Sequence, residues 1–150
     1  MIKNTAINFE SKEYLEFKDI TEEVKKIVEK TKVKNGLVLV YSTHTTLAIC
    51  VNEKEKGIVA DFKNLINRII PKDGYYCHND LSIRTENLVC QSAASDCLNG
   101  HSHCTHLLMR NSETIPIIDG KMTLGIWQRI FAIELDCCRR RNIVVQIMGD

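Results

Sequence analysis

The chain contains an uninterrupted apolar run, Leu37–Ser42, which reads L-V-L-V-Y-S and follows an Asn35-Gly36 turn signal. A second β-rich run, Thr45–Val51, follows almost at once. Runs of this kind are typical of strands at the centre of a sheet rather than of half-solvated edge strands. His44 falls between the two runs, and an isolated histidine in such a position is more often a hydrogen-bonded core residue than a metal ligand.

Two segments have the period of amphipathic helices. Asp19 or Thr21 can cap the first helix, with a glutamate in its first turn. The second helix is predicted from about Lys54 to Ile70 and ends at Pro71, which cannot continue a helix. The apolar stripes are Ile20, Val24, Ile27 and Val28 in the first helix, and Ile58, Phe62, Leu65, Ile66 and Ile69 in the second.

The last third of the chain is β-rich. Residues 114–118 and 122–124 flank Asp119-Gly120, which is a strong hairpin signal. An apolar strand is predicted over residues 130–135, then a short basic turn at Arg139–Arg141, then a last strand over residues 143–148. Elsewhere, residues 2–9 predict a first strand, Tyr14–Phe17 predicts a short second one, and residues 81–100 predict a long excursion of low periodicity.

No repeat, low-complexity tract or linker divides these elements. The pattern therefore predicts one compact α+β domain over residues 1–150, with two main helices packed on a mostly antiparallel β-sheet. Lys and Arg total 20 against 19 acidic residues, which argues against binding to nucleic acid. The chain has no apolar stretch of membrane-spanning length and no signal peptide, and its seven cysteines are an odd number. We therefore expect a reduced, cytoplasmic protein without a membrane partner.

Three of the five histidines lie within His101–His106, which reads H-S-H-C-T-H. If this segment is extended, His101 and His103 point together; if it is helical, His103 and His106 do so instead, and the sequence leaves both open. A catalytic zinc site needs about three protein ligands. The cluster can supply one or two of them, and His44 or His78 would complete the set, with Asp61 and Asp80 as neighbouring carboxylates.

Two other chemistries fit the same residues. Cys77 or Cys104 could act as a nucleophile beside a histidine, although no third orienting residue is evident. The basic segment Arg139–Arg141 could bind a phosphate or carboxylate, whereas such a turn is more often simply solvated.

Several short motifs occur in a fixed order along nearly the whole chain, from about residue 5. Together they resemble the YjbQ-like family of small proteins, and the histidine-threonine-threonine and L-G-x-W-Q motifs are specific in combination. The motifs are His44-Thr45-Thr46, Asn52-Glu53, Asp61 ten residues before Pro71, Tyr76-Cys77-His78, Asn99–His103, Ser112–Gly120, Leu124–Gln128, Glu134–Asp136 and Gly149.

The resemblance implies a trimer-forming α+β fold with sites near the subunit interfaces. It implies a metal site of His44, His78 and His103, with His101 as a further candidate ligand. It also implies acid/base roles for Asp61, His103 and Glu53. Trp127 and Gln128 are expected to line the same pocket, and Arg139 and Arg141 to contact a phosphorylated substrate.

The activity that the resemblance implies is a thiamine-phosphate synthase type of condensation, which joins an aminopyrimidine diphosphate to a thiazole phosphate. Such chemistry needs a divalent cation, and magnesium would suit the diphosphate. Imidazole ligands instead suit zinc, which is the metal that we expect. We therefore keep two alternatives: a metal-assisted hydrolase of a small phosphorylated or acyl substrate, and a non-catalytic homotrimer that binds a metal or metabolite.

Overall fold

The computed structural model describes residues 1–88 and 98–150, and it confirms an α+β architecture of helices on antiparallel sheets. The excursion predicted over residues 81–100 lies partly outside the described residues. The described strands are β1 (Ile2–Glu10), β2 (Phe17–Asp19), β3 (Gly36–Ser42), β4 (Leu47–Glu53), β5 (Ser112–Ile118), β6 (Lys121–Met122), β7 (Gln128–Glu134) and β8 (Arg140–Gly149). The described helices are α1 (Thr21–Thr31), α2 (Lys56–Ile69) and α3 (Gly100–Leu108), with a 3₁₀ turn at Cys77–Asn79.

The strands form two sheets, one of five strands in the order β1-β8-β3-β5-β6 and one of three in the order β2-β7-β4. Every pairing in both sheets is antiparallel. β3 lies between β8 and β5, as its apolar run predicts. Its two faces differ, however: Val38 and Val40 are buried, whereas Leu37 and Tyr41 are exposed. The run is therefore central in the sheet but covered on one face only.

The main core lies between the inner faces of the two sheets and α1. α1 contributes Val24 and Val28, both of which are buried as the helical stripe predicts. α2 behaves differently, because only Ile66 of its predicted stripe is buried, while Leu65 and Ile69 are exposed. The helical period of the α2 stripe is as predicted, but the described residues bury only part of its apolar face.

The turn residues act as predicted in the β5–β6 hairpin. Asp119 and Gly120 both have positive φ, at 50° and 77°, which is the backbone that a tight two-residue hairpin turn requires. The basic turn is placed wrongly, because Arg140 and Arg141 already belong to β8 and pair with β1. Alternation along that strand turns Arg141 inward and Arg140 outward. None of the helices in the described ranges is long and apolar enough to cross a membrane.

Candidate functional site

The structure decides between the two conformations of the histidine cluster, because His101–His106 belongs to α3. The start of α3 lies against the 3₁₀ turn, where the Gly100 backbone N–H donates to Asn79 Oδ1 at 2.8 Å. Gly100 permits this contact, since a Cβ there would lie 2.6 Å from Cβ of Tyr76. The result is that the rings of His78 and His103 lie with centroids 4.6 Å apart and planes at 52°.

A chain of polar groups supports this pair from the protein side. His78 Nε2 lies 3.1 Å from Asn99 Oδ1, and Asn99 Nδ2 donates to Asp136 Oδ2 at 2.8 Å. Arg139 donates to the same carboxylate oxygen through Nε at 2.8 Å. Asn99 and Asp136 are both buried, so these hydrogen bonds hold His78 from the protein interior, while the His78 ring itself is half-buried.

Arg84 flanks the pair on the outer side. Its Nη1 lies 3.1 Å from His78 Nε2 and donates to the His78 backbone carbonyl at 3.0 Å. Arg84 and His78 line a cavity of about 540 Å³, which Cys77 also borders. Glu86 also lines this cavity, so its lining carries one charge of each sign, and the Arg84 guanidinium is the group there that can bind an anion.

Burial lowers the pKa of His103, and the neighbouring His78, Arg84 and His106 lower it further, while Asp136 opposes them. His103 is therefore neutral at neutral pH and can accept a proton. The Asp136 carboxylate is the group that raises the His103 pKa, so it would stabilise a His103 ring that becomes protonated during a reaction. The arrangement places a proton acceptor beside a second imidazole and a cation, and of these three groups His78 and Arg84 line the cavity.

The other two cluster histidines face the protein interior. His101 is only 2% exposed and packs edge-on against Tyr14, with ring centroids 5.4 Å apart. Its Nδ1 and the Nε2 of His106 are buried without a hydrogen-bond partner in the described part of the chain. Burial lowers the pKa of both. His101 therefore does not join His78 and His103.

His44 lies in a different cavity, of about 460 Å³, with Arg140 and Asn142. Its Nε2 accepts the Asn142 backbone N–H at 3.0 Å, so the ring proton is on Nδ1 and the ring lone pair is already used. Burial, followed by the charge of Arg141, lowers the His44 pKa. The structure thus brings His78 and His103 together but not His44.

These contacts test how well the residues fit a metal. Zinc in a catalytic site takes about three protein ligands, and two imidazoles would be acceptable members of such a set. Within residues 1–88 and 98–150, no group of three histidine, cysteine, aspartate or glutamate side chains is arranged to hold an ion. The predicted three-histidine centre is therefore not formed by the described part of one chain.

Of the predicted carboxylates, Asp80 directly follows the 3₁₀ turn and accepts hydrogen bonds from Tyr75 and Ser82. Asp61 and Glu53 lie elsewhere, where both border an apolar cavity of about 290 Å³ beneath α2 together with Phe62 and Cys50. Burial raises the pKa of Cys50 to about 12, so that thiol stays protonated. None of the residues that line this cavity lines the cavity of His78 and Arg84.

The predicted substrate-binding residues are also dispersed. Trp127 is 68% exposed in the loop before β7, and Gln128 accepts the Gly125 backbone N–H through Oε1 at 2.7 Å. Gln128 borders a fourth cavity, of about 430 Å³, between α1 and the β5–β6 hairpin. Arg141 is buried and paired with Glu134, and Arg139 pairs with Asp136 at 2.7 Å. Both arginines therefore organise carboxylates of this chain.

Reasoning from the sequence missed three residues of the site: Arg84, Asn99 and Asp136. Asn99 and Asp136 belong to motifs that carry the family resemblance. Their positions two residues from His101 and Glu134 were the sequence feature that could have identified them. Arg84 lies in a segment without periodicity, and nothing in its surroundings marks it. Only the turn that folds Arg84 back onto the His78 carbonyl shows its place.

Comparison with known proteins gives a consistent result. A UPF0047 protein of Methanothermobacter thermautotrophicus is 36% identical over 135 residues, which are 90% of this chain and 84% of that protein. A UPF0047 protein of Archaeoglobus fulgidus is 34% identical over 134 residues, 89% of this chain and 92% of that protein.

Solved structures agree with the sequence relatives. The crystal structure of a YbjQ-like protein of unknown function from Sulfolobus solfataricus has a TM-score of 0.86 at 30% identity, covering 100% of this chain and 99% of that one. An uncharacterised YjbQ/UPF0047 protein of Clostridium acetobutylicum has a TM-score of 0.81 at 30% identity, covering 96% and 99%. The family model described as UPF0047 protein YjbQ-like matches residues 5–150. This chain therefore belongs to the YjbQ-like UPF0047 family.

Proposed function

We propose that the protein is an enzyme that acts on a small phosphorylated substrate by acid–base catalysis, with the His78–His103 pair as its reactive centre. The observation that carries the proposal is the 4.6 Å approach of two imidazoles beside the guanidinium of Arg84. Paired imidazoles are suited to acid–base work near neutral pH, because their pKa lies close to it. The guanidinium supplies the charge that a phosphate group needs.

The simplest reaction for this site is hydrolysis of a phosphate monoester. The oxygen of a water molecule bonds to phosphorus while the bond from phosphorus to the alcohol oxygen breaks. His103 takes a proton from the water, since its lowered pKa keeps it neutral, and returns it to the departing alcohol oxygen. The charge of Arg84 stabilises the phosphate oxygens throughout.

The family resemblance favours a second candidate, the thiamine-phosphate synthase type of condensation. There the aminopyrimidine diphosphate loses diphosphate as its carbon bonds to the nitrogen of the thiazole phosphate. The Arg84 guanidinium in its cavity would suit the departing diphosphate. Incubation with both precursors and magnesium distinguishes the two reactions, because only condensation yields thiamine phosphate together with diphosphate.

A divalent metal, zinc by preference, is a further proposal that rests on the resemblance and on two available imidazoles. A third ligand would have to come from outside the described residues or from another subunit. Elemental analysis of protein purified without a histidine tag or chelator tests this. About one metal per chain, lost in His78→Ala and in His103→Ala, would support a metal centre; its absence after reloading would remove the metal from the proposal.

A homotrimer is the assembly that the resemblance implies, and the outer face of the five-stranded sheet offers support. Leu37, Tyr41 and Ile118 on this face are 41%, 38% and 52% exposed. An uncovered apolar sheet face of this kind is typical of an interface. Sedimentation equilibrium should give a mass of three 17.1 kDa chains, and Tyr41→Lys should lower it. A single-chain mass for the native protein would contradict the trimer.

The enzyme proposal is tested by phosphate release from a panel of small phosphate monoesters and diphosphates. We expect turnover by the native chain and a loss of about 10²–10⁴-fold in His103→Ala. Cys104→Ser is the matched control, since it changes the next residue of α3, which is exposed. Saturable binding without product would favour the non-catalytic alternative, and an unchanged rate in His103→Ala would exclude the proposed centre.

A further inference from the structure

The supporting chain beneath His78 also determines which nitrogen of that ring carries the proton. Asp136 has only acceptor oxygens when it is ionised, and the Arg139 guanidinium donates to it. The amide of Asn99 must therefore turn its NH₂ group toward Asp136, where Nδ2 donates at 2.8 Å. This orientation leaves Asn99 Oδ1, which can only accept, facing His78 Nε2 at 3.1 Å.

We infer that Asn99 is a positioning residue that holds His78 as the Nε2–H tautomer and leaves its Nδ1 as a proton acceptor. An unprotonated Nε2 would set its lone pair against the Asn99 oxygen inside a half-buried site, where such a mismatch is costly. The inference rests on the proposed function for its catalytic meaning, since it gives the pair a second acceptor.

Arg84 provides the competing arrangement. Its Nη1 lies 3.1 Å from the same His78 Nε2, and an arginine can only donate. If Arg84 donated to Nε2, His78 would carry its proton on Nδ1. The guanidinium has other acceptors, because it donates to the backbone carbonyls of His78, Glu86 and Asn87. The Asn99 oxygen, by contrast, has a fixed direction set by Asp136, so the Nε2–H form satisfies more groups.

His44 supplies an internal reference of the opposite kind. Its Nε2 accepts the Asn142 backbone N–H at 3.0 Å, a donor that no side-chain rotation can reverse. His44 is therefore the Nδ1–H tautomer. The two histidines should differ in tautomer within one molecule, under identical conditions of solvent and pH.

The test is a long-range proton–nitrogen correlation spectrum of ¹⁵N-labelled full-length protein at pH 8, which lies above the ordinary pKa of imidazole. Signals are assigned by their disappearance in His78→Gln and His44→Gln. We expect a protonated-type shift at Nε2 of His78 and at Nδ1 of His44. A protonated-type shift at Nδ1 of His78 in the native chain would overturn the inference and favour donation from Arg84.

Variants test whether Asn99 is the residue that determines the tautomer of His78. Asn99→Leu removes the acceptor oxygen and should move His78 toward the Nδ1–H form. Asn4→Leu is the control, because that amide oxygen accepts from Gln146 Nε2 and not from a ring. An unchanged His78 tautomer in folded Asn99→Leu would also overturn the inference. The spectra need no substrate, so they stand even if no turnover is found.

Discussion

Two polar clusters adjoin the end of β7, and they differ in how completely their groups are paired. In the first, Arg141 forms hydrogen bonds with both carboxylate oxygens of Glu134 and with Thr46, and the two charged side chains are only 3% and 1% exposed. In the second, the rings of His78 and His103 face each other, and His78 and Arg84 line an open cavity. In the first cluster the two charged groups are buried and paired with each other, whereas the second retains groups that can serve a substrate.

The difference shows why charge alone does not identify a functional residue. Arg141 looks like a phosphate ligand in the sequence, yet its burial against Glu134 makes it part of the core. Arg84 has no motif around it, yet it borders the cavity of the histidine pair. Changes to the first cluster should therefore alter stability, and changes to the second should alter activity.

The largest expected effect is on the satisfied cluster. Arg141→Met leaves Glu134 buried without its cation, and we expect the free energy of unfolding to fall by about 3–5 kcal/mol. Urea denaturation followed by circular dichroism measures this. The double variant Glu134→Leu/Arg141→Met removes both charges and should be less destabilised than the single variant. A loss below about 1 kcal/mol in Arg141→Met would show that the pair is not structural.

A smaller effect is expected where α3 approaches the 3₁₀ turn. Gly100→Ala places a Cβ 2.6 Å from Cβ of Tyr76, so the two segments must separate. We expect a loss of about 1–3 kcal/mol from this overpacking, together with weaker turnover because His103 moves from His78. Denaturation and a phosphate-release assay measure the two effects. Full stability with full activity would mean that this close approach does not position the pair.

Each histidine whose pKa is lowered by burial should change the free energy of unfolding with pH, by a still smaller amount. Burial lowers the pKa of His44, His101, His103 and His106 in the folded chain, so the unfolded chain binds more protons below about pH 6.5. Stability is therefore complete above that pH and falls as the pH drops, by at most about 1.4 kcal/mol per unit for each histidine. Denaturation between pH 7 and pH 5 measures the slope.

His101 offers the control for that slope. His101→Phe keeps an aromatic ring against Tyr14 and removes a buried ring nitrogen that has no partner in the described residues. The fall in stability between pH 7 and pH 5 should be shallower in this variant than in the native chain. An identical slope would mean that His101 does not contribute to the pH dependence.

The smallest expected effect is on stability at the open cluster. His103 is half-buried, and its ring contact within the described residues is with His78. We expect His103→Ala to change the free energy of unfolding by no more than about 1 kcal/mol. Thermal denaturation beside the native chain measures this. A loss as large as that of Arg141→Met would place His103 in the core and remove the contrast between the clusters.

Local sequence patterns predicted much of the fold, because each pattern acts within one element. The Asp119-Gly120 turn and the α1 stripe depend only on neighbouring residues, and both are confirmed. The period of α2 was also correct, but how much of it is covered depends on the other elements. The arginine segment was misplaced because nothing local distinguishes a basic turn from a strand that turns Arg141 inward to Glu134.

The candidate site was less predictable, since its contacts join residues distant in the chain. The 101–106 spacing allowed two conformations, and only contact with the 3₁₀ turn shows which histidine meets His78. The grouping of His78 with His103 came from the family resemblance, not from spacing. The same resemblance grouped them with His44, which the fold places in a separate cavity.

The central claim is that His78 and His103 act without His44, and one comparison tests it most directly. We would measure kcat/KM of the native chain, His103→Ala and His44→Ala on the best substrate of the phosphate panel. The account predicts a loss of about 10²–10⁴-fold in His103→Ala and a change of less than about tenfold in His44→Ala. Equal, large losses in both variants would contradict it and would favour a centre that His44 shares.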